Sequence, residues 1–208
     1  MRTVILPAQQ PGALAQALTV LQAGGLVAFP TDTVYGLAAL AFNSSAVRKI
    51  YQAKDRPVEK ALPVLIADPA DLARVSLEVS LAAVRLAACF WPGPLTLTVL
   101  KHPDLPEIVS DKPTVGVRIP DHPLARSLLR STGPMAVTSA NLSGHTSPST
   151  AREVFTQLSG RIALILDGGK TPGGVPSTVV DCTGAEARIL REGPVSRDQI
   201  KSCLAGLL

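Results

Sequence analysis

Phe29-Pro30-Thr31-Asp32-Thr33-Val34-Tyr35-Gly36 decides how this chain is organised. The apolar run at 26–29 predicts a buried strand. The proline, hydroxyls, carboxylate and glycine that follow predict a strand feeding a site. One predicted helix later stands Lys54-Asp55-Arg56-Pro57, two cations at a helix end stopped by a proline. Hydroxyls at a strand end with cations at a helix end suit an anionic ligand.

Working outward, apolar patterning predicts strands over 3–6, 38–42, 62–67, 95–100, 115–119, 135–138, 162–166 and 189–191. Helices are expected from Pro11 to the Gly24-Gly25 pair, from Ser44 or Ser45 to Lys54, and over 69–75, 81–90 and 122–129. Thr150 with Glu153 and Ser196 with Gln199 have capping-box spacing, so each opens a helix. In the strand over 95–100, Thr96 and Thr98 face away from the leucines. The polar, proline-bearing segment 101–112 is a loop or lid candidate. Strands and helices alternate, with some direct strand-to-strand passages, which predicts an α/β fold with a mixed sheet. No repeat or boundary interrupts it, so 1–208 is expected to be a single domain.

The 208 residues are 46% hydrophobic and 17% charged, enough for one well-buried core and against disorder. A net charge of +4 leans towards anionic partners such as nucleotides or RNA. Cys89, Cys182 and Cys203 lie far apart without zinc-like spacing, so reduced thiols in a cytoplasm are expected, with neither a disulfide framework nor a metal knuckle. Nothing resembles a signal peptide. The apolar stretch 26–42 is broken by Pro30 and Asp32, which excludes a membrane span there.

Four polar clusters sit at strand ends or beside glycines: Thr31 to Tyr35, Lys54 with Arg56, Ser139 with Asn141 and Ser143, and Ser177 with Thr178. Such groups in an α/β sheet commonly meet over one cleft, though each taken alone is also a turn or a solvated helix end. Arg118 lies among Val115, Val117 and Ile119 and needs a partner, which could be a protein carboxylate or a substrate's. Arg191 has the same need. His102, His122 and His145 lack metal-ligand spacing, and there is neither a P-loop nor a dinucleotide glycine fingerprint nor a nucleophile elbow.

In order, these clusters closely resemble the YrdC-like family, the threonylcarbamoyl-AMP synthases. The matching text is Pro30-Thr31-Asp32-Thr33-Val34-Tyr35-Gly36, Lys54-Asp55-Arg56-Pro57, Trp91-Pro92-Gly93-Pro94-Leu95-Thr96, Val117-Arg118-Ile119-Pro120 with His122-Pro123, Ser139-Ala140-Asn141-Leu142-Ser143-Gly144, Asp167-Gly168-Gly169, Ser177-Thr178-Val179 and Leu190-Arg191-Glu192-Gly193-Pro194. The resemblance implies a twisted, open mixed sheet with flanking helices around a large concave basic cavity. It implies a cytoplasmic nucleotidyltransferase that makes L-threonylcarbamoyladenylate and pyrophosphate from L-threonine, bicarbonate and ATP, for threonylcarbamoyladenosine modification of tRNA. Mg2+ would come with ATP, and no metal ligand is expected from the protein. The partners implied are tRNA or double-stranded RNA and the other proteins of the tRNA threonylcarbamoylation pathway.

By the same resemblance, the family's Lys-x-Arg and Ser-x-Asn tetrad falls on Lys54, Arg56, Ser139 and Asn141, as catalytic and ATP-binding residues. Thr31, Arg118 and Ser177 match positions that hold L-threonine, and Thr114, Ser147 and Arg191 match positions that hold the nucleotide. As exposed helix-end charges, Lys54 and Arg56 are expected to be removable without loss of the fold. Leu65 stands where many relatives carry a histidine that contacts threonine, and Pro176 where they carry a glutamate. The chain resembles the short form that lacks a C-terminal domain. The alternatives are a basic RNA-binding module, disfavoured by an aromatic content of 3%, and a same-fold paralogue handling another adenylate.

Overall fold

Alternation of side chains along each strand sorts this sequence onto two faces of one sheet. The computed structural model describes residues 2–172 and 174–205; Gly173 and the chain ends included in the expected domain lie outside them. In chain order the strands are β1 (Val4–Pro7), β2 (Val27–Pro30), β3 (Tyr35–Leu40), β4 (Val64–Leu65), β5 (Ser76–Glu78), β6 (Leu95–Lys101), β7 (Thr114–Arg118), β8 (Met135–Ser139), β9 (Leu164–Asp167), β10 (Thr178–Asp181) and β11 (Arg188–Arg191). The helices are α1 (Ala13–Gln22), α2 (Ser44–Lys54), α3 (Leu72–Val75), α4 (Leu81–Phe90), α5 (Pro123–Thr132), α6 (Ala151–Leu158) and α7 (Arg197–Leu204).

The sheet runs β1-β9-β2-β3-β8-β4-β7-β6-β10-β11, with β5 added beside β6. It is mixed, as expected: β2 pairs antiparallel with β3 but parallel with β9, and β4 pairs parallel with β7 but antiparallel with β8. The short β5, missing from the sequence expectation, pairs antiparallel with the end of β6. Among the described residues no helix is long and apolar enough to cross a membrane.

One face carries the larger core. Ala46, Val47 and Ile50 of α2, Leu86 of α4 and Val154 of α6 pack there on Leu37, Val64, Leu97, Val117 and Ile165. The other face is covered over only part of its width. Ala17 and Leu21 of α1 and Leu128 and Leu129 of α5 close over Val27, Phe29, Ala38, Met135 and Val137. Past β8 that covering reaches Leu65 of β4 and then stops.

Two helix starts follow the sequence closely. Ser196 accepts from the Gln199 amide at 3.2 Å while the Gln199 side chain accepts from Ser196 N at 2.8 Å, a complete capping box. Thr150 accepts from Glu153 N at 3.2 Å, but the Glu153 carboxylate accepts from Ser149 N instead, so that box is only half formed. The cap of α2 is Asn43 and not Ser44 or Ser45: its Oδ1 accepts from Ala46 N at 3.0 Å, and asparagine caps at least as well as serine.

The cysteines correct an expectation. Cys89 of α4 and Cys203 of α7 form a disulfide across 114 residues, with Cα atoms 6.6 Å apart. Helix packing brings them together, which sequence spacing does not reveal. Cys182 is a free, buried thiol that burial pushes up to about 12.

Candidate functional site

The uncovered part of the second face is a cavity of about 440 Å³, within the range of small-molecule sites. Strand register explains its lining, because paired residues share a face. Leu65 pairs with Arg118, Thr98 with Gly116, Thr96 with Val179, Val179 with Arg191, and Gly36 with Ser139. All of these residues line the cavity. On β6 the opposite set, Leu95, Leu97 and Val99, goes into the larger core. The threonines predicted to face away from the leucines therefore face the cavity.

Arg56, Lys112, Arg118 and Arg191 line the cavity, and no aspartate or glutamate is among its lining residues. Around them stand the hydroxyls of Thr31, Thr33, Thr96, Thr98, Thr114 and Thr138, and of Ser110, Ser139 and Ser177. A surface with this balance favours a polyanion that accepts many hydrogen bonds.

Arg118, 6% exposed, has found a protein partner. Its Nε donates to Gly93 O at 2.9 Å, one terminal nitrogen donates to Thr33 Oγ1 at 3.1 Å, and the other donates to Asp32 Oδ1. The second carboxylate oxygen, Asp32 Oδ2, is buried without a hydrogen-bond partner among the described residues. Burial lowers the guanidinium's pKa, while the Asp32 charge opposes the shift. Thr31 Oγ1 donates to Val34 O at 2.7 Å and stands 3.0 Å from Thr33 Oγ1, so the quoted stretch is a self-bonded turn that presents hydroxyls.

Opposite, Arg191 donates through Nε at 3.1 Å and a terminal nitrogen at 2.7 Å to Ser177 O. Ser177 Oγ lies 2.8 Å from Thr96 Oγ1. Gly193 lets β11 leave the sheet here: a Cβ on it would stand 2.5 Å from Thr178 N and 2.6 Å from Pro176 O. Arg56 spans the loop after α2, its Nε donating to Lys60 O at 3.1 Å and a terminal nitrogen to Ala61 O at 3.0 Å.

Of the residues singled out in the sequence, the cavity brings together Thr31, Arg56, Thr114, Arg118, Ser139, Ser177 and Arg191. Lys54, Asn141 and Ser147 are not among its lining residues. Lys54 is 1% exposed, which corrects the expectation of an exposed helix-end charge. Its Nζ donates to Ser139 O at 2.5 Å and to Asn141 O. Burial, reinforced by the Arg56 charge, pushes the ammonium down to about 7. Ser147 lies in the loop before α6. Lys112 and Ser110 were legible only as part of a loop or lid, and Asp32 only as part of a motif. The appetite of Arg118 for a carboxylate was the signal that could have given Asp32 its role.

A cation-lined, hydroxyl-rich hollow on the open face of a mixed α/β sheet defines a class: α/β proteins that take a phosphate- or carboxylate-bearing ligand on the sheet itself. The family model described as "Telomere recombination", that of Sua5, YciO and YrdC, matches residues 19–193. The chain belongs to the Sua5/YciO/YrdC family.

Among its relatives, the threonylcarbamoyl-AMP synthase of Bacillus subtilis is 46% identical over 92% of this chain and 56% of its own length. The threonylcarbamoyl-AMP synthase of Vibrio cholerae is 35% identical over 86% of this chain and 97% of its own. The crystal structure of Pyrococcus abyssi Sua5 complexed with L-threonine superposes with a TM-score of 0.91 at 38% identity, covering 98% of this chain and 60% of that one. The chain thus spans little more than half the length of some relatives and nearly all of another.

Proposed function

We propose that this protein is a threonylcarbamoyl-AMP synthase: a nucleotidyltransferase that joins L-threonine, bicarbonate and ATP into threonylcarbamoyladenylate with release of pyrophosphate. One observation carries the proposal from the geometry. Four cations and no carboxylate line a hydroxyl-rich cavity, in a chain whose relatives are named for this activity.

The residues divide by position. Arg118, with Thr31 and Ser177 among the other lining residues, takes the threonine carboxylate and amine. Arg56, Thr114, Ser139 and Arg191 take the nucleotide; Lys54 holds the Ser139 and Asn141 carbonyls behind it, and Ser147 is assigned to the nucleotide by its place in the family motif alone. The threonine amine attacks bicarbonate and water is lost, which leaves a carbamate. A carbamate oxygen then attacks the α-phosphorus, the bond to the bridging oxygen of the β-phosphate breaks, and pyrophosphate departs. Such a displacement needs alignment and neutralisation of charge more than a strong base. Arginines and hydroxyls supply both.

Mg2+ enters with ATP. Among the described residues the lining offers it no carboxylate, so phosphate oxygens would carry it. tRNA or double-stranded RNA and the other proteins of the tRNA threonylcarbamoylation pathway are the macromolecular partners this function implies, and the cytoplasm its compartment. A disulfide such as that of Cys89 and Cys203 is uncommon in a reducing cytoplasm, and thiol counting in protein alkylated at cell lysis tests whether it is closed there.

The deciding experiment is pyrophosphate release with ATP and Mg2+, adding L-threonine and bicarbonate separately and together. Release that requires both, with the adenylate identified by mass, is the expected result. Folded, ATP-binding protein that releases none under any condition overturns the proposal.

A further inference from the structure

Lys54 ends α2 and is not among the cavity's lining residues. Three contacts tie it to the turn after β8. Nζ donates to Ser139 O and to Asn141 O, and the carbonyl of Lys54 accepts from Ser143 N at 2.8 Å. The turn is pinned from its other side by Ala140 N, which donates to Tyr35 O at 2.8 Å. Asp55 follows in the left-handed region at φ 49°, which ends the helix and sends the chain back towards the cavity at Arg56. Neighbouring cations are thus sorted to different places: Arg56 lines the cavity, as Ser139 does, and Lys54 does not.

We infer that Lys54 is a positioning residue, which acts on the bound nucleotide through the 139–143 turn and through Ser139 and makes no direct phosphate contact. The inference rests on the nucleotide site proposed above. What it requires of Lys54 is hydrogen-bond donation to two carbonyls. A neutral amide, one bond shorter but carrying two N–H donors, meets that requirement in part and a thioether does not. A phosphate-contacting role requires the charge.

The test compares Lys54→Met, Lys54→Gln, Ser139→Ala and the double variant Lys54→Met/Ser139→Ala by calorimetric ATP affinity at two salt concentrations, with circular dichroism to establish folding. The expected pattern has Lys54→Met weaken ATP binding about 10-fold and Lys54→Gln restore most of it. The salt dependence stays that of wild type in both. The double variant binds no more weakly than Ser139→Ala alone, because the two changes act through one element.

Equal losses for Gln and Met, a flattened salt dependence, or multiplied losses in the double variant would each overturn the inference. If neither Lys54 variant folds, the lysine Nζ resonance of the wild-type protein decides. A resonance unmoved by saturating ATP supports positioning, and a shifted one marks a contact. Wild-type protein that binds ATP without releasing pyrophosphate defeats the synthase proposal but leaves this cycle legible, so the two failures are distinguishable.

Discussion

The covered and uncovered halves of one sheet face have opposite chemistry. Under α1 and α5, strands β2, β3 and β8 present Val27, Phe29, Ala38 and Met135. Further along the same face, β6, β7, β10 and β11 present Thr96, Thr98, Thr114, Arg118, Val179 and Arg191. Both halves belong to one sheet and are backed by helices of the larger core, α2 and α6 behind β3 and β2 and α4 behind β6, so neither sheet pairing nor that core calls for the hydroxyls and cations. A face with no helix over it needs polar side chains, but solvation alone does not call for arginines among hydroxyls with no carboxylate in the lining. That balance is what the proposed function uses.

The largest expected break of this contrast is at Arg118 and Asp32, the one buried ion pair among the described residues. Arg118→Met leaves Asp32 buried without its partner, and urea unfolding should show a loss of about 3–5 kcal/mol. Adding Asp32→Asn should return much of that stability without restoring threonine binding. If the single variant is as stable as wild type, Asp32 is not held as described.

A paired comparison sharpens the two halves. Phe29→Ala under the helices should cost about 3–5 kcal/mol and leave the ATP affinity of the folded fraction unchanged. Thr98→Val in the cavity should stay within about 1 kcal/mol of wild type while weakening ligand binding. Equal stability losses would mean that both halves are core.

A smaller effect follows from Lys54. Its folded pKa, about 7, lies below the ordinary lysine value of about 10.4. The unfolded chain therefore holds the proton over pH 7–10 while the folded chain releases it, and stability rises with pH across that window. The slope approaches about 1.4 kcal/mol per pH unit, or about 2 kcal/mol from pH 7 to 8.5. His122, pushed down by burial, acts below this interval. Cys182, pushed up to about 12, gives the opposite slope above it. Denaturation midpoints measured from pH 7 to 8.5 should rise in wild type and stay flat in Lys54→Met; a flat wild-type profile would mean that folded Lys54 keeps its proton and that burial does not lower its pKa.

The last effect is steric. Gly193→Ala places a Cβ against Thr178 N and Pro176 O, and should lower stability by about 1–3 kcal/mol and loosen Arg191 from Ser177. Unchanged thermal melting would show that the strand exit gives way without cost.

The alternation that placed Thr96 and Thr98 together was readable because period-two patterning is local. The complete capping box at Ser196 was readable for the same reason, since its partners are three residues apart. Lys54 was not, because the carbonyls that bury it belong to Ser139 and Asn141, far along the chain, and a cation at a helix end is ordinarily solvated. The pairing of Cys89 with Cys203 depends on α4 meeting α7, and no spacing rule encodes that contact. Asn43 was passed over as the α2 cap because two serines follow it, and the decision between adjacent capping residues lies in backbone angles. Strand β5 is three residues long, too short to show a period.

Strand β4 is two residues long, and it is all that the ladder places between β8 and β7. The cavity lies astride this seam, with Thr31, Gly36 and Ser139 on one side and Thr114, Ser177 and Arg191 on the other. Two halves joined through so narrow a strip can hinge by small changes in twist without breaking either half's longer ladders. A molecule held by both banks then acts as a strut across the seam, so occupancy should be written in the hydrogen-exchange rates of the Val64 and Leu65 amides, remote from any chemistry it undergoes.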